Sequence, residues 1–349
     1  NVSATVRGRK VFQIRNGAHD ITDADTWEYS SNPVDCAGDL YAGARIRNSS
    51  GTLIPMTGFQ SDPVKRIEQT KQAIFSAVCD ETITLTSGTQ NRFECHGVLK
   101  ADEPSSSQMA KLLSSMGGRA INFGGKYAFM PAYSRTSVMS LTQDNFFSRV
   151  SVSLGAEAGN IYTAATGLYV DADRNFTATN SNLVISSTFE TALNGKRRTR
   201  ELQLPFVADH TQAERLCKLA VGDSAQQKTF SALIDYSALA LEVGDVVSIP
   251  HDVAGWVSKQ FEVVSWKLRV EPASNRNGVI IGFKEYDASI FLWGSGEQTD
   301  LNADVRRSIP SDALVADPVS MTVTPVNYSP LGSVSLPTGA VSRAYHLSN

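Results

Sequence analysis

The stretch from Arg92 to Ala132, RFECHGVLKADEPSSSQMAKLLSSMGGRAINFGGKYAFMPA, constrains the fold more than any other part of the chain. It reads as strand, helix and hairpin, and no catalytic group is placed in it. Arg92 to Leu99 has strand character. Pro104 suits the first turn of a helix, where a missing N–H costs nothing. Met109, Leu112, Leu113 and Met116 then follow the i, i+3, i+4, i+7 pattern of one buried helix face. Gly117 and Gly118 stop that helix, because glycine takes the left-handed conformation without a Cβ penalty. Ile121 to Phe123 and Tyr127 to Phe129 flank Gly124-Gly125-Lys126, which reads as a tight hairpin.

At 349 residues the chain is long enough for two or three domains. A hydrophobic content of 42% permits real cores and argues against wholesale disorder. The formal charge of −3 gives no polybasic signature for general nucleic-acid binding. No apolar run approaches the roughly 18–20 residues of a membrane span. Asn1 to Ile14 alternate like a strand rather than a signal peptide. The first residue is not Met, so a processed product or part of something longer is expected. Cys36, Cys79, Cys95 and Cys217 lie far apart in sequence, without a C-x-x-C pair. They are expected as reduced thiols, buried or isolated, rather than metal ligands.

The pattern predicts an α+β, β-rich chain. Residues 1–25 read as a strand completing a sheet. Residues 26–142 form a small α+β module, with a helix from Asp62-Pro63 in which Ile67, Ile74, Phe75 and Val78 share a face. Residues 143–296 read as a barrel-like β domain. Its candidate strands include Phe147 to Leu154, Gly167 to Val170, Leu183 to Phe189, Arg200 to Leu204, Thr229 to Tyr236, Asp245 to Pro250, Gln260 to Val270 and Gly278 to Tyr286. One helix interrupts them, capped by Asp209 and lined by Ala213, Leu216, Cys217, Ala220 and Val221. Gly294-Ser295-Gly296 reads as a hinge. Residues 297–349, with one alternating segment at Val319 to Thr324, read as an extended linker towards a further module.

No catalytic, cofactor-binding or metal-binding residue is assigned. Asp171, Asp173 and Asn175 match the start of a calcium loop. Phe176 then stands where glycine is needed and Asn182 where the bidentate glutamate should be, so a polar turn is the better reading. Asp20, Asp23 and Asp25 read as a solvated loop. His19, His96, His210, His251 and His346 are scattered, without H-E-x-x-H. No G-x-S-x-G elbow occurs. Asn194-Gly195 signals a hairpin turn beside the basic run Lys196 to Arg200. That run is open to three readings: a solvated strand end, a contact with an acidic protein, or contact with passing DNA. Trp256, Trp266 and Trp293 read as core or interface anchors rather than a sugar platform.

Ala77 to Glu81, the Arg92 to Leu99 strand, the Gln108 to Gly117 helix and Leu141-Thr142-Gln143-Asp144-Asn145 together resemble the tail-tip, host-specificity proteins of long-tailed bacteriophages, of the phage lambda protein J type. Val6 to Val11 and Ser31-Asn32-Pro33 are similar to that family's opening strand and turn, and Leu241 to Val247 to the turn that opens its barrel strands. The resemblance covers roughly residues 5–293. The missing motifs read as a non-enzymatic chain needing no cofactor; the resemblance implies a virion protein with a multi-domain tail-hub architecture, assembled in the host bacterial cytoplasm. Three copies would form the central hub of the tail tip, close the tail tube, serve host attachment and open for genome ejection. Implied partners are the homotrimer itself, distal tail and other tail-tip proteins, and the tape-measure protein in the tube lumen. A bacterial surface receptor, reached through more C-terminal parts, and transiently ejected DNA complete the set. The alternatives are the hub of a contractile injection device and a tail-associated glycan or peptidoglycan hydrolase.

Overall fold

The computed structural model describes residues 8–299, except 22, 48–52, 87, 101, 148–152, 154–160, 173, 175, 252–255 and 271–276. Contacts group the described residues into one compact unit. Of the linker expected over 297–349, residues 300–349 lie outside the described residues, while Glu297 pairs with Lys218 at 2.5 Å and Thr299 N–H donates to Glu214 at 3.2 Å.

Strand β1 (Lys10–Val11) pairs antiparallel with β2 (Glu28–Tyr29). Helix α1 (Pro33–Ala42) starts on Asn32, whose side chain accepts from the Val34 N–H at 3.0 Å. It buries Val34, Ala37 and Leu40 together with Asp35 and Asp39. A hairpin follows, β3 (Ala44–Arg47) with β4 (Leu53–Thr57). The single helix expected from Pro63 is two: α2 (Pro63–Arg66) and α3 (Gln69–Cys79). Between them Ile67 turns inward and bridges Tyr127, while Glu68 N–H donates to the Tyr127 carbonyl at 2.9 Å. That pairing to a strand breaks the helix, and Ile74 ends on the exposed face, apart from Ile67 and Phe75.

Strands β5 (Thr82–Thr84) and β6 (Thr89–Asn91) form a short hairpin. The strand expected over 92–99 does not join a ladder. Its alternation is real, since Phe93 and Cys95 are buried while Glu94 is half-buried and His96 exposed. Its backbone neighbours, however, belong to three separate segments: Phe93 N–H donates to Cys79, Cys95 to Ser31 and His96 to Phe206, at 3.1, 2.8 and 2.8 Å. Helix α4 (Ser105–Ser115) has Pro104 at its N-cap and buries Met109 and Leu112, with Met116 buried just past its end. Strands β7 (Arg119–Phe123) and β8 (Lys126–Met130) then meet through Gly124 and Gly125, both at positive φ (60° and 96°). That two-residue geometry matches the twist of a hairpin and favours residues without a Cβ.

Strand β9 (Ser137–Ser140) leaves this region for a second sheet. Strand β10 (Ala164–Asp171) pairs antiparallel with β11 (Thr177–Asn180) and β12 (Val184–Ile185). The strand expected to run on to Phe189 ends at Ile185, because Ser186 accepts from the Phe189 N–H and starts α5 (Ser187–Ala192). Asn194-Gly195 is accordingly not a hairpin turn. Both residues take positive φ and Gly195 N–H donates to the Glu190 carbonyl at 2.8 Å, terminating α5. Strand β13 (Thr199–Leu204) runs parallel to β10, and α6 (His210–Ala225), capped by Asp209, packs on it. Gly167 permits that approach: a Cβ there would lie 2.7 Å from Leu204 Cδ1 and 3.3 Å from Cys217 Sγ.

The second sheet is built from β14 (Thr229–Ile234), β15 (Val246–His251), β16 (Trp256–Arg269) and β17 (Gly278–Glu285), in the order β14-β17-β16-β15-β9. Only β9 and β15 are parallel. Phe146 and Ser153 bridge Ile234 and Thr229 of β14. The chain leaving the β9 edge thus returns to the β14 edge, and the sheet curls without a continuous ladder closing it among the described residues. The fold is mixed α+β and β-rich, with several sheets and, among the described residues, no closed barrel.

Two main cores result. One joins α1, α3, α4, the β7–β8 hairpin and α6 through Leu40, Phe93, Met116, Phe129 and Leu216; the other fills the curled sheet with Ile234, Ile249, Phe261, Ile281 and Phe283. The first core has little sheet, so buried amides satisfy its backbone. Gln72 donates to the Val34 carbonyl at 2.7 Å and accepts from Phe129 N–H at 3.1 Å. Gln212 accepts from Glu94 N–H and donates to the carbonyls of Glu94 and Ser115.

Asp35 sits in this core with Oδ1 unpartnered, and burial pushes its carboxyl from 3.8 up to about 6 against opposing hydrogen bonds and the Arg15 charge. The folded chain therefore keeps a proton that the unfolded chain releases. The stability this contributes is complete below about pH 4 and lost as pH rises through about 6. Unfolding by urea should show wild type losing about 2–3 kcal/mol relative to Asp35→Asn between these limits. Parallel pH profiles for the two proteins would contradict the assignment.

Candidate functional site

The joint between the two cores is ionic. Glu262 of β16 is buried, and its Oε1 lies 2.6 Å from Arg135 Nη1 and also contacts Arg119 at the start of β7. Arg135 Nη1 donates as well to the Gly244 carbonyl, and its backbone N–H donates to the Tyr286 hydroxyl at 2.7 Å. Its guanidinium lies over the Tyr286 and Tyr133 rings at 5.1 and 5.7 Å, and burial lowers its pKa. The turn at 242–245 is the socket. Asp245 accepts from Glu242 N–H at 2.8 Å, and Lys71 of α3 pairs with Glu242 at 2.6 Å. This arrangement fixes one core against the other.

The residues weighed for chemistry are engaged otherwise. Asp171 is buried, accepts from the Tyr169 hydroxyl at 3.3 Å and pairs with Arg174 at 3.3 Å. Asp173 and Asn175 lie outside the described residues, and Phe176 takes the positive φ (57°) that glycine would favour. Asn182 donates to Glu214 Oε1 at 3.1 Å. Among the described residues no group of three His, Cys, Asp or Glu side chains could hold a metal ion. Asp23 caps the turn before Trp27, accepting from Asp25 N–H at 3.0 Å, and the Asp20 carbonyl accepts from Trp27 Nε1 at 2.7 Å. His19 Nδ1 accepts from Gln13 N–H, His96 pairs with Glu94 at 3.5 Å, and His210 contacts the Thr211 hydroxyl. The side chain of His251 and all of His346 lie outside the described residues.

The basic run leads into β13, which pairs only β10 among the described residues. Arg197 pairs with Glu190 at 2.5 Å and Arg200 lies 5.4 Å from the Tyr162 ring. With Glu201 and Gln203 these charged and polar groups line an otherwise open edge.

A cavity of about 400 Å³ lies between β5 and residues 291–293, with Arg92, Tyr133 and Trp293 on its walls. Arg92 is held by Glu81 at 2.8 Å and donates to the Phe291 carbonyl. Trp293 is flanked by Arg215 and Lys218, each 5.9 Å from its ring. Such a site can hold a small polar molecule. Its acid is tied to an arginine, which cannot exchange protons at ordinary pH.

The surface that sequence reasoning missed is the far end of β16. β15 pairs it only as far as Glu262, and beyond Val263 only β17 accompanies it among the described residues. Trp266 and Leu268 stand opposite Ile281 and Val279, which are fully buried, so the apolar face of the core runs out to an open edge. Val264, Trp266, Leu268 and Val270 are 41%, 37%, 46% and 60% exposed. Trp266 Nε1 donates to the Ala238 carbonyl at 3.3 Å, beside exposed Tyr236 and Leu239. The alternation of this strand was legible; the lack of a neighbour on one side was not. Trp256, by contrast, packs against Phe261 with ring centroids 5.1 Å apart.

Residues 106–266 match the family described as “Putative phage tail protein”. The matched span runs from α4 to the Trp266 strand and supports a phage tail protein. Among solved structures, the virion of a native gene transfer agent particle is similar at 16% identity and TM-score 0.44, covering 56% of this chain and 42% of that one. The tail protein from Neisseria meningitidis MC58 is similar at 12% identity and TM-score 0.40, covering 56% and 60%. The 43 kDa tail protein of prophage MuSo2 from Shewanella oneidensis is similar at 11% identity and TM-score 0.38, covering 55% of each. The matched part of this chain thus spans between 42% and 60% of those chains. No curated protein matches.

The ionic joint makes a direct expectation. Glu262→Gln leaves a buried Arg135 without its counter-charge and should cost about 3 kcal/mol in urea unfolding. A loss below about 1 kcal/mol would place the pair in the class of solvent-screened surface bridges.

Proposed function

We propose that this chain is a structural protein of the phage tail that acts as the central hub of the tail tip, with three copies closing the tube. In this reading it links the tube to receptor-binding parts and opens for genome ejection. Its neighbours are the distal tail and other tail-tip proteins, the tape-measure protein and, through more C-terminal parts, a host receptor. Transient contact with ejected DNA belongs to the same reading. The order of family-like segments along the sequence supports the tail-tip, host-specificity type. The match over 106–266 supports a tail protein more broadly.

The observation that carries assembly is the open apolar edge of β16. An unpaired strand with alternating apolar side chains favours pairing with another chain. One patch meeting a different patch on the next copy closes into a ring when the rotation is right. Native mass measurement should give three times the 37.7 kDa chain. Leu268→Lys with Val270→Lys, at two exposed positions, should release monomers that stay folded. A wild-type monomer, six equivalent copies, or a trimer that survives the double substitution would each overturn this assembly.

We also propose that the chain is not an enzyme. Purified protein should release no fragments from peptidoglycan or capsular polysaccharide. Cleavage of either that disappears in Asp171→Ala or Asp173→Ala would replace the structural reading with the hydrolase one.

A further inference from the structure

A second cavity, of about 40 Å³, is bounded by α1, by residues between β1 and β2, and by Ile67 with the start of α3. Its walls are largely apolar, from Phe12, Ile14, Ile21, Trp27 and Ile67. The Phe12 and Trp27 rings form a corner, their centroids 6.3 Å apart and their planes inclined by 59°. Helix α1 adds two carboxylates four residues apart, Asp35 and Asp39, which therefore share a helix face. The two are treated differently. Asp39 pairs with Arg9 at 2.8 Å. Asp35 is only 5% exposed, and its Oδ1 has no hydrogen-bond partner. Arg15, the nearby cation, is directed to the Ser76 hydroxyl at 3.2 Å and to the Asp80 carboxylate. Among the described residues no ion pair reaches Asp35.

We propose that this cavity binds a primary alkylammonium head, with an N–H donated to Asp35 Oδ1 and the cation set against the Phe12 and Trp27 rings. Other occupants fit the walls less well. An anion meets two carboxylates. A hard metal cation needs about six or more oxygen ligands, and among the described residues no group of three His, Cys, Asp or Glu side chains could hold a metal ion. A neutral apolar molecule leaves Oδ1 unpaired. A water can donate to Oδ1, but it cancels no charge and meets mostly carbon on its other sides. An ammonium supplies the missing donor and the missing counter-charge together, and the aromatic faces attract it.

The cavity is close to the roughly 30 Å³ that one water occupies in the liquid, so it takes the ammonium head and leaves the rest of the ligand outside. A free small amine and the lysine side chain of a protein partner share that head. Burial raises the Asp35 carboxyl to about 6, so above that pH the folded chain holds a buried charge that the ligand would compensate. This proposal is independent of the tail-hub reading.

The test uses the purified full chain at pH 8, where Asp35 is charged. Methylammonium chloride and Nα-acetyl-lysine amide are the two probes, with sodium chloride at equal concentration as the control. Saturation-transfer NMR should show saturable contact of a probe with the wild type, at a Kd on the order of millimolar. The same probe should raise the urea midpoint beyond the effect of sodium chloride. Asp35→Asn keeps the shape, removes the charge and is expected to be the more stable protein at this pH, so lost binding there does not report unfolding. It should weaken binding by at least roughly tenfold, and Phe12→Leu by about threefold to fivefold. Tighter binding of the lysine probe assigns the head to a protein partner, tighter binding of methylammonium assigns it to a free amine, and either supports the site. Equal binding by wild type and Asp35→Asn, or no saturable contact from either probe up to roughly 100 mM, would leave the cavity to water alone and overturn the proposal.

Discussion

The α-helical half of this protein depends on side-chain amides doing what a sheet would otherwise do. Residues 92–96 run extended through the middle of the first core without a strand on either side among the described residues. Gln212 meets both the N–H and the carbonyl of Glu94, as a neighbouring strand would, and also takes the carbonyl of Ser115 at the end of α4. Gln72 does the same between α1 and β8, and Asn32 donates to the Ser76 carbonyl at 2.9 Å. Each unpaired buried backbone group would cost about 1–3 kcal/mol, so these few amides decide whether the segment can cross the core at all. They also fix which helix faces which strand, because an amide aimed at one carbonyl satisfies nothing if the helix turns.

On that frame the second sheet is attached through a charge rather than through more apolar surface. Arg135 leaves β8, reaches the Gly244 carbonyl and meets Glu262 in the middle of β16. A buried ion pair adds little net stability but penalises every misplaced alternative heavily. Its effect here is therefore positional: β16 is held at its centre, while the strand beyond Val263 projects past β15 with one edge open.

Much of this architecture was legible in the residues and some was not, for identifiable reasons. The α4 periodicity, the Gly124-Gly125 turn, the Asp209 cap and the turn at 242–245 are local, and each appears as read. Ile67 was misassigned because a strand elsewhere in the chain, at Tyr127, competes for its backbone. Asn194-Gly195 was misassigned because the same dihedrals that make a hairpin turn also end a helix. The Arg119–Glu262–Arg135 joint brings together residues far apart in sequence, and no spacing rule encodes such contacts. The open edge of β16 was invisible for the same reason: alternation reports which face is apolar, never whether a neighbour sits alongside.

Two strand edges without a neighbour among the described residues are handled in opposite ways. Among the described residues β13 pairs only β10, and it carries Arg200, Glu201 and Gln203, so that an approaching strand meets charge. Charged edges are how proteins discourage unwanted strand pairing. The far end of β16 instead presents Trp266, Leu268 and Val270 beside Tyr236 and Leu239. Were the chain adapted to remain alone, both edges would need the same protection, since either can template association. Charge on one edge discourages strand pairing there, whereas an apolar edge favours it. A group complementary to that edge would supply an extended backbone and apolar side chains at every second position, which is polypeptide chemistry rather than a sugar's or a phosphate's.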